Sequence, residues 1–132
     1  MHVIRVQTER KTQLVDVTAE VREAVSGAGG SVVTVFVPHT TAGVVIQATG
    51  EGAAKVAADL ESAFERIVDE GWDWQHTSEG DRNPWSHVRA ALTASSVTIP
   101  LVHGGLGLSD LQTVFLCEFD GPRSREIHVA AH

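Results

Sequence analysis

The sequence predicts a single-domain α+β fold built on a mainly antiparallel sheet. Strand-like runs of valine, isoleucine and threonine recur along the chain without regularly alternating helical patterns, which excludes a doubly wound parallel fold. Tight-turn signals separate the strand-like runs of the last third. The 132 residues suffice for one buried core but fall short of the roughly 200 or more that a barrel of alternating strands and helices requires.

Taken in order, Val3, Arg5 and Gln7 alternate with Ile4, Val6 and Thr8 as a strand does, and Gln13-Leu14-Val15 is expected to extend or pair with it. Thr18 then caps a short helix through Glu20 and Val21 to about Val25, which Ser26-Gly27-Ala28-Gly29-Gly30 ends. No strand-to-helix arrangement with a lysine follows those glycines, so they form a turn and not a phosphate loop. Ser31 to Val37 and Val44 to Gln47 read as buried strands around the corner Val37-Pro38-His39-Thr40-Thr41-Ala42-Gly43. Thr49-Gly50-Glu51-Gly52 breaks the pattern. From about Ala53 to Val68, the positions Val56, Ala57, Leu60, Phe64, Ile67 and Val68 describe one apolar helix face. Asp59 either points inward or borders the solvated face, and periodicity favours the solvated position.

The aromatic segment Gly71-Trp72-Asp73-Trp74-Gln75-His76 leads through a polar loop into a short helix from about Pro84 to Leu92, with Asn83 as cap and Pro84 in the first position. Ser95 to Leu101 is a strand, Val102-His103-Gly104-Gly105 turns the chain, and Gln112 to Phe119 follows as a second strand. Asp120-Gly121-Pro122-Arg123 is a turn leading to a final strand, Ser124 to Val129.

Ten lysines and arginines against 17 aspartates and glutamates give a net charge of -7, which disfavours a nucleic-acid or anionic-membrane surface. A small anion would need a locally basic pocket or a metal. No apolar run approaches the roughly 20 residues that span a bilayer, and the N-terminal Met1-His2-Val3-Ile4-Arg5-Val6 lacks a signal-peptide layout, so a cytoplasmic protein is expected. The lone Cys117 sits in an apolar run and reads as a buried strand residue.

Pro38 cannot donate a ladder hydrogen bond and Gly43 permits unusual backbone angles, so His39, Thr40 and Thr41 are aimed at a shared space at a strand end. The alternative is a loop whose hydroxyls satisfy its own backbone. His76 and His87, 11 residues apart around a loop with acidic residues, form a second constellation.

His39-Thr40-Thr41-Ala42, His76, Asn83-Pro84-Trp85-Ser86-His87, Ile99-Pro100, Gln112 and the run from Cys117 to Arg125 occur in an order and spacing that resemble the YjbQ-like family, also described as secondary thiamine-phosphate synthases. The resemblance covers nearly the whole chain. It implies a compact α+β sandwich with covering helices, assembled as a homotrimer, with a polar pocket near the subunit boundary lined by His39, His76 and His87. Those three imidazoles could hold a zinc-like ion with one position open; a hydrogen-bonded pocket without metal is the other reading.

The implied activity joins a pyrimidine-methyl diphosphate to a thiazole phosphate, releasing pyrophosphate. Under it, Arg123 and Arg125 bind phosphate oxygens and Thr40 and Thr41 donate hydrogen bonds to the substrate. Asn83 and Gln112 also contact it. The histidines act in catalysis, and Glu118 orients Arg123 or a histidine. The metal, or magnesium carried by the diphosphate, stabilises the leaving group. This chain departs from the pattern at Gln47-Ala48, where many members carry Asn-Glu, and at Leu111, where many carry tryptophan. A missing carboxylate removes a potential orienting partner or base. Competing readings are metal-assisted hydrolysis of a small phosphorylated or acylated metabolite, with His76 or Asp81 as base, and a non-catalytic trimer binding a small anion or metal.

Overall fold

The structure is a computed structural model that describes residues 1–49, 52–77 and 83–132. Its elements run β1 (His2–Gln7), β2 (Gln13–Asp16), α1 (Thr18–Ala24), β3 (Val32–Phe36), β4 (Ala42–Ala48), α2 (Ala53–Ile67), α3 (Pro84–Ala91), β5 (Ser96–Val102), β6 (Gly105–Leu106), β7 (Gln112–Glu118) and β8 (Ser124–Ala131). They make a five-stranded sheet in the order β1-β8-β3-β5-β6 and a three-stranded sheet in the order β2-β7-β4. The registered strand pairs are antiparallel, so the expected α+β sandwich is present. None of the helices among the described residues is long and apolar enough to cross a membrane.

The layers follow from side-chain alternation. On the large sheet Ile4, Val33, Val35, Ile99, Ile127 and Val129 point inward to meet Val44, Val114 and Leu116 of the small sheet, with Val17, Val21 and Val25 around α1 closing the same core. The small sheet's other face carries Leu14, Phe115 and Cys117, covered by Ala57, Leu60 and Phe64 of α2 and Ala90 of α3. Covered on both faces, β7 is buried from Thr113 to Glu118, which explains why its sequence is a continuous apolar run instead of an alternation. The outer face of the large sheet, with Val3, Phe36 and Val102 each more than a third exposed, has no described element packed on it.

Four local expectations differ. β2 does not extend or pair with β1; it lies in the other sheet against β7, because Leu14 finds apolar cover there under α2. Thr18 does not cap α1: Val17 holds that position, the Thr18 amide donates to Asp16 Oδ1 at 2.9 Å, and the Thr18 hydroxyl accepts from the Val114 amide at 2.9 Å. Asn83 does occupy the cap position of α3 but makes no side-chain capping bond, since its amide is drawn to Asp120. Ile67 is 61% exposed; at about 100° per residue it lies roughly 80° round the helix from Ala57, at the edge of the stripe. Asp59 faces solvent, as periodicity favours.

Arg89 of α3 is fully buried and was not singled out by the sequence. Its Nη2 donates to the carbonyls of Val68 (2.9 Å) and Glu65 (3.4 Å) at the C-terminal end of α2, a cation placed where the helix dipole favours it.

Three segments cross between the sheets at one end of the sandwich: residues 8–12 from β1 to β2, 37–41 from β3 to β4, and 119–123 from β7 to β8. The Thr8 amide donates to the Arg123 carbonyl at 2.8 Å, the Gly121 amide to Lys11 at 3.2 Å, and the Phe119 amide to Thr41 at 3.1 Å, which ties the three together. Gly43 lets β4 leave this corner under α3: a Cβ there would lie 1.9 Å from Thr93 Oγ1 and 2.8 Å from the Ala94 carbonyl oxygen. Gly43→Ala is therefore expected to lower stability by about 3 kcal/mol, the upper part of the overpacking range. Gly29→Ala, whose Cβ meets nothing within 4 Å, leaves stability nearly unchanged. Urea unfolding of both variants checks the contrast, and equal midpoints would contradict it.

Candidate functional site

Polar groups from two of the three crossings, β3–β4 and β7–β8, converge on a cavity of about 950 Å³. His39, Thr40 and Thr41 enter it from the β3–β4 crossing, Asp120 and Arg123 from the β7–β8 turn, Arg125 from β8, and Asn83 and His87 from the start of α3. This brings together eight residues from three separate stretches of the chain.

Its floor is an ion pair. Glu118 has no solvent exposure and Arg125 only 4%. Arg125 Nε donates to Glu118 Oε1 at 2.9 Å, while Nη2 bonds to Glu118 Oε2 and, at 2.8 Å, to Thr41 Oγ1. Glu118 also accepts from the Thr8 hydroxyl (2.7 Å) and from the amides of Phe119 (3.1 Å) and Asp120 (3.0 Å). Burial alone would raise the Glu118 pKa, but Arg125, Thr8 and the Asp120 amide together hold it below the ordinary carboxylate value. Glu118 thus orients Arg125, not Arg123 or a histidine, and with five donors on its two oxygens it is not placed to move a proton. The remaining Arg125 nitrogen, Nη1, makes no hydrogen bond to a described residue, and Arg125 lines the cavity.

The rim is arranged around Asp120. Arg123 donates from Nε to the Asp120 carbonyl at 2.9 Å and from Nη2 to Oδ2 at 2.6 Å, and Asn83 donates to Oδ1. Arg123 is half exposed, so its pairing is weaker than that of the floor. The Gly121–Pro122 peptide in this turn is cis. A Cβ on Gly121 would meet the Arg10 carbonyl at 2.2 Å and Thr8 Oγ1 at 2.9 Å, so only glycine lets the turn press against the floor.

The histidines divide into two environments. His39 Nε2 accepts the Glu126 backbone amide at 3.0 Å, and its pKa is lowered by burial and by Arg125. His87 Nδ1 donates to the Thr40 carbonyl at 3.3 Å. The rings of His76 and His87 lie 5.2 Å apart. His76 is exposed and lines a second, apolar cavity of about 550 Å³ with Trp74, Pro84 and Val88, which adjoins the first through His87.

Among the described residues no group of three His, Cys, Asp or Glu is arranged to hold a metal ion. A neutral imidazole whose Nε2 accepts a hydrogen bond carries its proton on Nδ1, leaving His39 no lone pair for a cation. The donor set therefore does not fit the three-histidine ion, though His76 and His87 are close enough to share a ligand.

Gln112 does not join the cavity. It begins β7 while Glu118 ends it, six residues or about 20 Å away at 3.4 Å per residue, and its side chain accepts the Ser109 amide at 3.0 Å. Ala48 is the register partner of Gln112, so Gln47-Ala48 and Leu111 lie side by side at the far end of the small sheet, away from this chain's cavity. Asp81 lies outside the described residues. Cys117 is buried with its thiol pushed up to about 12 by burial, which leaves it inert. Thr8 and Asp120 are the site residues not picked out beforehand. Thr8 was detectable, because it continues the inward phase of Ile4 and Val6 and is polar where an apolar residue is expected.

Because the Glu118 pKa is depressed on folding, the carboxylate contributes stability that is fully present above the ordinary value of 4.5 and is lost as pH falls through the folded-state value. Glu118→Gln is therefore expected to be less stable than wild type at pH 7, by about 3 kcal/mol or more, with the gap narrowing in acid. Urea midpoints at pH 7 and pH 3 measure this, and a gap independent of pH would contradict it.

Comparison with known proteins fits this architecture. The family model for UPF0047 protein YjbQ-like matches residues 2–132. A UPF0047 protein of Archaeoglobus fulgidus is 33% identical over 128 residues, covering 97% of this chain and 98% of its own. One from Synechocystis is 41% identical over 106 residues, covering 79% and 71%. The crystal structure of an uncharacterized YjbQ/UPF0047 protein from Clostridium acetobutylicum superposes with a TM-score of 0.89 at 31% identity, covering 98% of both chains. A conserved hypothetical protein from Thermus thermophilus does so at 0.87 and 32%, covering 100% of both. With sequence and fold in agreement from one end to the other, the chain belongs to the YjbQ/UPF0047 family.

Proposed function

We propose that the cavity binds the phosphoryl groups of a small molecule and that the chain joins a pyrimidine-methyl diphosphate to a thiazole phosphate. The observation that carries this reading is the pre-set Arg125, held by Glu118 and Thr41 with Nη1 unpaired among the described residues at the cavity. A cation whose geometry is fixed before the ligand arrives loses little on binding, and a guanidinium suits phosphate oxygens. Arg123 and the Thr40 hydroxyl supply further donors at the rim. The apolar shelf of Trp74, Pro84 and Val88 next to His87 suits a flat ring attached to the charged group.

In this reaction the thiazole nitrogen attacks the methylene carbon, a C–N bond forms, and the C–O bond to the diphosphate breaks with its electron pair leaving on pyrophosphate. No proton need be removed from the nucleophile. That suits a cavity whose carboxylates are already engaged, Glu118 by five donors and Asp120 by Arg123 and Asn83. Magnesium would arrive with the diphosphate as part of the substrate, and Arg125 would take up charge on the departing group. The same engagement disfavours base-driven hydrolysis by either residue. We further propose a homotrimer in which the outer face of the large sheet, beside the Phe36 edge of the cavity, is the contact surface.

The test is calorimetric binding of inorganic pyrophosphate, then thiamine phosphate formation from the two substrates with magnesium, using protein characterised by sedimentation. Binding, product formation and a mass three times the 14.1 kDa chain are expected. Arg123→Ala should weaken pyrophosphate binding about threefold to tenfold, the range of an exposed charge-assisted contact, without lowering stability. Pyrophosphate binding without turnover would favour the non-catalytic binder, phosphate release from the diphosphate alone would favour hydrolysis, and no binding would overturn the reading. A 14.1 kDa species would overturn the trimer.

A further inference from the structure

We propose that His39 is a neutral hydrogen-bond donor to a phosphoryl oxygen through Nδ1–H, and not a metal ligand. The geometry of its other nitrogen carries the assignment. The Glu126 amide donates to Nε2 at 3.0 Å, and an amide N–H cannot accept, so Nε2 must be the unprotonated nitrogen. A ring with one proton then carries it on Nδ1. A doubly protonated ring would set Nε2–H against the Glu126 N–H, and a metal on Nδ1 would require the ring to lose both protons. The backbone of β8 therefore selects one tautomer out of three ionisation and tautomeric states.

What surrounds the ring points the same way. Arg125, the next residue toward the cavity on β8, lines the same space and sets its guanidinium beside His39, an influence on the ring that Glu118 and Glu126 oppose. Arg125 and His39 then offer two kinds of donor to one anion, a charged guanidinium and a neutral imidazole. A neutral donor strengthens as negative charge builds on the leaving oxygen without the charge neutralisation of a proton transfer. His39 is a positioning donor for the departing pyrophosphate, set by the Glu126 amide.

This assignment takes its ligand from the proposed function, whereas the tautomer stands independently of it. Imidazole nitrogen NMR of the uniformly ¹⁵N-labelled protein reads the tautomer directly. His39 is expected as Nδ1–H in the absence of ligand, with the Nδ1 signals moving when inorganic pyrophosphate is added and remaining unmoved by zinc. Two near-isosteric variants provide the functional split: His39→Asn keeps an amide N–H near the Nδ1 position, and His39→Gln keeps an oxygen acceptor near Nε2. Pyrophosphate affinity should stay within about threefold in His39→Asn and fall about tenfold or more in His39→Gln, the worth of one hydrogen bond to a charged group. Both variants are scored only with a native-like amide spectrum; if neither folds, the labelled wild type decides. An Nε2–H tautomer, or zinc shifting the His39 nitrogens, overturns the proposal. Pyrophosphate binding that leaves Nδ1 unmoved overturns the donor role alone, and failure of wild type to bind pyrophosphate overturns the function proposed for the cavity along with the ligand assigned to His39.

Discussion

The buried pair of Glu118 and Arg125 is the constraint around which the rest of the site is arranged. A carboxylate and a guanidinium taken out of water are tolerable only if nearly every lone pair and proton is matched, and the fold meets that demand by bringing three sheet-to-sheet crossings to the same place. Thr8 comes from the first, Thr41 from the second, and the Phe119 and Asp120 amides from the third. Each crossing is thereby tied to the others through the pair, as well as through its own backbone bonds. The two sheets enclose an apolar core that would tolerate several geometries at its open end; the ion pair selects one.

The same constraint separates roles that look alike in one dimension. Glu118 and Asp120 are both acidic residues at a strand end, yet one is a saturated floor and the other a partly exposed anchor for Arg123 and Asn83. Arg123 and Arg125 are two residues apart, but only Arg125 belongs to β8. Alternation sends Arg125 inward, in phase with Ile127 and Val129, whereas Arg123 precedes the strand in the turn and stays at the rim. Position relative to the sheet, more than residue type, decides which charge is fixed and which is adaptable.

Much of this was legible in the sequence. The alternation of β1, β3 and β8, the continuous apolar run of β7 and the Pro84 start of α3 all report local geometry, which short-range pattern reads well. His39, Thr40, Thr41, Asn83, His87, Arg123 and Arg125, singled out from the sequence, line one cavity. What pattern does not carry is distance along an extended strand and the identity of a bonded atom. Gln112 and Glu118 share one strand, but an extended backbone puts them at opposite ends of it. His39 looks like a ligand until the amide on Nε2 is known, and that amide belongs to a residue 87 positions away. Arg89, buried beneath α2, was invisible for the same reason: its partners are carbonyls, which every residue possesses.

The most direct test of the central claim is a double-mutant cycle on unfolding free energy with Glu118→Gln, Arg125→Met and the double variant. If the pair is the interaction on which the site depends, each single change strands a buried polar partner and costs about 3–5 kcal/mol. The double variant then loses at least about 2 kcal/mol less than the sum of the singles. Losses that simply add would show that the two side chains act independently, and the account given for the crossings and the cavity would fail with them.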